Sequence, residues 1–191
     1  MTGAKGANGV NFGADGHLWI SGGDQNVVYH APPTGGAATV FASGYAIVTS
    51  DTTMPVRAYV TNGLGIDSKG AIYTGNTGTG EITRIEVRPG HQAGNITSFA
   101  KDTRLTGADG IVVTVGDTLY VTANFSNTIA KIDPAGNVTV LATDDAHETL
   151  RFPAELKKVG GTVYVANLNF PVGRNAGQTA KGATIAALEL P

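Results

Sequence analysis

The chain contains no cysteine, so neither a disulfide framework nor a thiolate metal or redox centre is available to it. Charge is scarce as well. Asp, Glu, Lys and Arg make up 15% of residues, against about 25% in ordinary domains, which excludes a coiled coil, a charged helical bundle or a charged disordered chain. The formal charge of -2 is not gathered into any long run of Lys or Arg, so no nucleic-acid partner is expected. No apolar stretch approaches the ~18 residues of a membrane-crossing helix, and the opening Met-Thr-Gly-Ala-Lys-Gly does not read as a signal peptide. A soluble chain with no membrane partner is expected. Its compartment stays open between the cytoplasm and, if the chain is truncated, secretion. Neither a Gly-x-Ser-x-Gly elbow nor a Gly-x-x-x-x-Gly-Lys-Ser/Thr loop occurs, which removes the usual serine-hydrolase and phosphate-cradle signatures.

What is abundant is glycine, 27 of 191 residues, roughly twice the average usage of about 7%. The glycines follow a repeat. Four segments superpose without gaps: Asn8-Gly-Val-Asn-Phe, Asn62-Gly-Leu-Gly-Ile, Asp109-Gly-Ile-Val-Val and Pro153-Ala-Glu-Leu-Lys, with starts separated by 54, 47 and 44 residues. That spacing suits the four-stranded blades of a propeller. Eleven residues after each start stands a large aromatic, Trp19, Tyr73, Tyr120 or Tyr164, flanked mostly by aliphatics. Alternation of period two places the aromatics on one face of a strand and the aliphatics on the other. Each unit continues as hairpins; the third predicts strands at 110–114, 118–123, 127–133 and 137–142. The fold class expected is all-β, a propeller of about four four-stranded antiparallel blades. The blades span about 8–41, 62–99, 109–142 and 153–191, with an irregular insertion at 42–61. The one candidate turn of helix is 145–150, which reads equally as a loop.

Six closed blades need roughly 270 residues at about 45 each. A compact four-bladed ring, an open arc or a piece of a longer protein would each fit; the chain is read as a partial or open propeller, whose exposed blade edges invite self-association.

In a propeller the innermost strands line a central channel, and the first residue of each repeat sits at its mouth. Here these are Asn8, Asn62, Asp109 and Pro153. Three of the four carry a short side-chain oxygen, a hard ligand for calcium, magnesium or manganese. The same Asn-Gly and Asp-Gly pairs are also common turn formers, and both readings stand on residue type alone.

The segments Asn62-Gly-Leu with the following Asp-Ser-Lys-Gly, and Ala108-Asp109-Gly-Ile with the following Thr-Leu-Tyr-Val, resemble two successive blades of the regucalcin/gluconolactonase-like family. The resemblance extends over most of 8–191. It implies a six-bladed propeller and, for many members, a metal-dependent lactonase. It further implies that Asn62 and Asp109 hold a divalent cation (calcium, manganese, magnesium or zinc), that Asp109 is the catalytic base, and that Asn8 contacts substrate or metal. The family's third ligand, a Glu in an N-terminal Gly-Glu-Ser/Gly-Pro setting, has no counterpart in the sequence. Glu155 aligns with Val10, Leu64 and Ile111, two positions further into the strand, and is not expected to replace it.

Loops add candidates for binding a small-molecule substrate. His147 could move protons near neutral pH and Arg151 could orient a carboxylate, though a hydrophilic surface loop explains both. Lys101, Asp102 and Arg104 read the same way. The polar stretch 167–182, with Phe170 and Arg174, could cover the channel mouth. His17 and His30 fall in strands as packed or edge residues, and His91 falls in a hairpin loop and is expected to be solvated. Two functions from different classes follow: a metal-dependent hydrolase of a lactone or related ester, or a non-catalytic propeller similar to NHL-repeat proteins that presents loops to a ligand or protein.

Overall fold

Fifteen strands alternate with tight turns in the computed structural model, which describes residues 3–23, 25–46, 61–144, 146 and 149–190. The insertion strands expected at 45–49 and 56–60 lie almost wholly outside the described residues, as does most of the segment with helical character. The first blade contains β1 (Val10–Phe12), β2 (Leu18–Ser21), β3 (Val27–Ala31) and β4 (Thr39–Ser43). The second contains β5 (Leu64–Ile66), β6 (Ile72–Asn76), β7 (Glu81–Arg88) and β8 (Gln92–Lys101). The third contains β9 (Ala108–Val113), β10 (Leu119–Ala123), β11 (Thr128–Ile132) and β12 (Val138–Thr143). The fourth has three strands, β13 (Pro153–Val159), β14 (Thr162–Asn167) and β15 (Thr184–Glu189). Every blade is an antiparallel meander, its strands paired in chain order. Among the described residues helix is confined to single 3-10 turns such as Asn124–Ser126.

Turn chemistry makes these meanders possible. Between β11 and β12, Asp133 accepts from the backbone N–H of Ala135 and Asn137, and Gly136 supplies the left-handed φ of +87° that closes the hairpin.

Packing between blades follows from the period-two pattern. Trp19 of β2 packs with Leu64, Ile72 and Ile85 of the second blade. Tyr73 of β6 packs with Ile111, Leu119 and Val121 of the third, and Tyr120 of β10 with Leu156, Val163 and Val165 of the fourth. Each aromatic thus fills the layer between its own sheet and the aliphatic face of the next. Burying one such side chain contributes about 1.5–3 kcal/mol. Among the described residues no following sheet covers Tyr164, which is 44% exposed. Among the described residues no core cluster joins the fourth blade to the first. Val10, Phe12 and Ile185 are exposed there, and the four blades form an open arc.

A second device ties adjacent blades at the axis. The Ser21 hydroxyl donates to the Asn62 carbonyl, Thr77 to that of Ala108 at 3.0 Å, and Thr122 to that of Ala154 at 2.9 Å. Ser21 and Thr122 also accept from Gly9 and Gly110 of their own blades, at 2.7 and 2.9 Å. Each hydroxyl therefore bridges two inner strands. Val10, Leu64, Ile111 and Leu156, one from each inner strand, line a single cavity of about 390 Å³. Like positions of the four units do face one axis.

Candidate functional site

At the repeat starts the inner strands crowd together, and this crowding accounts for the Asn-Gly and Asp-Gly pairs. Gly9, Gly63 and Gly110 lack a left-handed φ, so they are not turn residues. A Cβ on Gly63 would lie 1.7 Å from the Asp109 carbonyl oxygen, and one on Gly9 or Gly110 would stand 2.9 or 2.7 Å from the Asn62 or Ala154 carbonyl. Only glycine lets the next blade approach this closely. The preceding residue, Asn8, Asn62 or Asp109, then borders a cavity of about 530 Å³ that all three share.

Neighbouring side chains orient these groups. Thr77 gives its hydroxyl proton to Ala108, so it accepts from the Asn62 amide nitrogen at 3.0 Å. That assigns the Asn62 oxygen to the other side, where it accepts from Asn8 Nδ2 and keeps a second lone pair. Asn124 stands four residues after Tyr120, as Thr77 does after Tyr73, and its Nδ2 donates to Asp109 Oδ2 at 3.0 Å. Burial pushes the Asp109 carboxyl up to about 7; the Asn124 hydrogen bond opposes that rise and the nearby Glu155 charge adds to it. Asn124 is itself 3% exposed, and its Oδ1 is buried with no hydrogen-bond partner.

Glu155 corrects the sequence alignment. Across the first hairpin of each blade, Asn11 pairs with Trp19, Gly65 with Tyr73 and Val112 with Tyr120, eight residues apart each time. In the fourth blade Lys157 pairs with Tyr164, seven apart. The hairpin at Gly160-Gly161 is one residue shorter, so gapless superposition slips by one in β13. Leu156 is the residue matching Val10, Leu64 and Ile111. Ala154 takes the Asn/Asp position, and Glu155 takes the position held elsewhere by Gly9, Gly63 and Gly110. A side chain fits there because, among the described residues, no further blade packs against it. Glu155 reaches the same cavity as Asn62 and Asp109. Solvent touches it on one side while protein crowds the rest. Although Glu155 is exposed on β13, desolvation on the crowded side raises its carboxyl above the usual range, against the lowering effects of the Leu156 N–H and of Lys157.

The oxygen donors are thus Asn62, Asp109 and Glu155. All are hard ligands, which suits calcium, magnesium or manganese. Opposite them is an apolar wall. Phe152, held at φ +55°, meets Phe125 edge-on at 5.6 Å and Phe170 at 5.3 Å. A bulky residue in left-handed backbone stores strain, and here it turns an aromatic ring toward the cavity. Leu168 and Phe170 of the 167–182 loop also border the cavity.

The model of the SMP-30/gluconolactonase/LRE-like region matches residues 2–146. The chain belongs to this family. No curated protein matches it by sequence, and the solved structures it resembles are distant. A gluconolactonase from Xanthomonas campestris is 17% identical with a TM-score of 0.66, over 97% of this chain and 57% of that one. A calcium-binding regucalcin from Agrobacterium tumefaciens is 16% identical with a TM-score of 0.62, over 84% and 52%. Virginiamycin B lyase from Staphylococcus aureus is 18% identical with a TM-score of 0.61, over 83% and 48%. This family member therefore spans about half the length of these three structures, and the likeness to them is one of fold.

Of the other residues singled out from sequence, Arg151 is not brought to the cavity. It is 4% exposed, and its guanidinium donates to the Thr179 carbonyl at 2.8 Å. His147 lies outside the described residues. His91 is not the solvated loop residue expected: its Nε2 lies 2.7 Å from Asp15 Oδ2 of the first blade. Thr77, Asn124, Phe125 and Phe152 escaped sequence reading, whereas Phe170, singled out there as able to cover the channel mouth, does border the cavity. The shared offset of Thr77 and Asn124 from the aromatic column was the one signal that could have found the first two.

Proposed function

We propose that the cavity is the reaction site of a hydrolase acting on a lactone or related ester, with a divalent cation held by Asn62, Asp109 and Glu155. The observation that carries this reading is the convergence of Asn62 and Asp109, first residues of neighbouring inner strands, on one cavity, with the Asn62 amide fixed oxygen-inward by Thr77. Bound there, a cation would polarise the substrate carbonyl and acidify a nearby water. Asp109, poised near neutrality, takes a proton from the water that attacks the carbonyl carbon. It returns that proton to the ring oxygen as the acyl C–O bond breaks. Asn8, with one amide proton engaged by Asn62, has a second to offer the substrate oxygen. Phe125, Phe152 and Phe170 shield the reacting carbonyl from bulk water.

The test is hydrolysis of a panel of sugar lactones and simple esters with added calcium, manganese, magnesium or zinc, followed by acid release. Turnover that needs a cation and falls about 10²-fold or more in Asp109→Asn supports the reading; turnover unaffected by chelator and by that substitution contradicts it. A second reading, a non-catalytic ligand- or protein-binding scaffold, draws support from the Asn8–Asn62 hydrogen bond, which satisfies that side of the cavity without an ion. It predicts ligand binding with no turnover on any lactone.

A further inference from the structure

Three of the chain's four histidines meet far from the cavity, on the outer part of the first two blades. Asp15 and His17 belong to the turn between β1 and β2, His30 lies on β3, and His91 sits at the tip of the β7–β8 hairpin with φ +56°. Asp15 Oδ2 is 2.7 Å from His91 Nε2 and 3.2 Å from His17 Nδ1. The His17 and His91 ring centroids are 3.9 Å apart, and the His30 ring lies 5.3 Å from that of His91. One ligand atom from each of Asp15, His17 and His91 falls within 4.8 Å of the others, the one such grouping of three among the described residues. Beneath them is the buried indole of Trp19, 5.8 Å from the His91 ring.

Hydrogen bonding within the chain leaves this cluster incomplete. His17 Nδ1, despite its approach to Asp15, makes no hydrogen bond, and His30 Nδ1 is likewise without a partner; both atoms are buried. A buried imidazole nitrogen left bare is costly. Two imidazoles and a carboxylate converging from separate blades form a donor set for a borderline-soft cation, which binds nitrogen at about 2.0–2.1 Å and carboxylate oxygen at about 2.0–2.2 Å. Calcium and magnesium prefer oxygen alone, so this cluster and the all-oxygen cavity differ in the ions they select.

We propose that Asp15, His17 and His91 form a binding site for a zinc-class transition-metal ion, which clasps the outer hairpin of the second blade onto the first. Water completes a four-coordinate shell; Asp15 and His91 move apart by about half an ångström, and the two imidazole nitrogens, within 4.8 Å of one another, settle at the roughly 3.3 Å spacing that zinc requires. The proposal does not depend on the reading of the cavity.

The test is calorimetric titration of Zn²⁺ and thermal melting with Zn²⁺, together with the visible spectrum of bound Co²⁺. The proteins are the unaltered chain, His91→Asn, His17→Gln and Asp109→Asn. Asn tolerates the left-handed backbone at 91, so that variant keeps the hairpin, which circular dichroism verifies. One Zn²⁺ equivalent retained in Asp109→Asn is expected, with affinity weakened by at least about tenfold in His91→Asn and His17→Gln. Zinc should raise the melting temperature of the unaltered chain and of Asp109→Asn more than that of His91→Asn, and Co²⁺ should give a four-coordinate spectrum that His91→Asn lacks. No zinc bound to the unaltered chain, or unchanged binding in both histidine variants, overturns the proposal.

Discussion

Replacing Asp109 by Asn removes a charge that the fold holds at a cost, and the size of that cost can be worked out. Burial lifts the carboxyl from 3.8 to about 7, and each unit corresponds to about 1.36 kcal/mol. The folded state therefore retains, between about pH 4 and 7, a proton that the unfolded state has released. In that window stability falls as pH rises, and the full penalty is present above the folded value. At pH 8, with chelator present, Asp109→Asn should be more stable than the parent by about 2–4 kcal/mol, the upper end being the whole shift. At pH 4 the two should be equal within about 0.5 kcal/mol. The Asn124 donor keeps an acceptor in the variant, so the comparison isolates the charge. Urea unfolding at pH 4, 6 and 8 measures it. A parent that gains stability relative to the variant as pH rises would refute the reasoning.

Gly63→Ala, whose Cβ would fall 1.7 Å from a backbone carbonyl, should destabilise by about 3 kcal/mol or more. Gly161→Ala, with open space and no left-handed φ, should be neutral or stabilise by up to about 1 kcal/mol; thermal melting of the pair checks both. Thr122→Val keeps the shape of the residue that bridges Gly110 and Ala154 but leaves both backbone groups bare. It should lose about 1–3 kcal/mol in chemical denaturation, with hydrogen exchange speeding at the Gly110 amide.

The fold class was legible because one column repeats. Trp19, Tyr73 and Tyr120 each fill a layer between sheets, and such a role demands a large residue at a fixed register. The first three inner-strand starts, Asn8, Asn62 and Asp109, were legible for the same reason, although the glycine that follows each serves close approach rather than turning; the fourth is Ala154 and not Pro153. Glu155 was misread because its hairpin is one residue shorter, and a gapless comparison cannot register a deletion inside a turn. His91 was misread because its partner Asp15 is 76 residues away, and period-two patterning carries no information on which hairpin tips meet. Arg151 looked like a surface ligand in a run of polar residues, yet it is buried with its guanidinium on the Thr179 carbonyl, an arrangement set by the 167–182 loop. Asn124 lies just past β10, where alternation has ended and local pattern is silent.

The central claim is that residues opening successive blades, joined by Glu155, share one ion. Titrating Mn²⁺ into the chain by calorimetry, with His91→Asn as background to remove the outer cluster, tests it most directly. The account predicts one bound equivalent that Asp109→Asn abolishes and Glu155→Gln weakens by about tenfold or more. Equal Mn²⁺ binding in all three proteins, or none in the background chain, would contradict it.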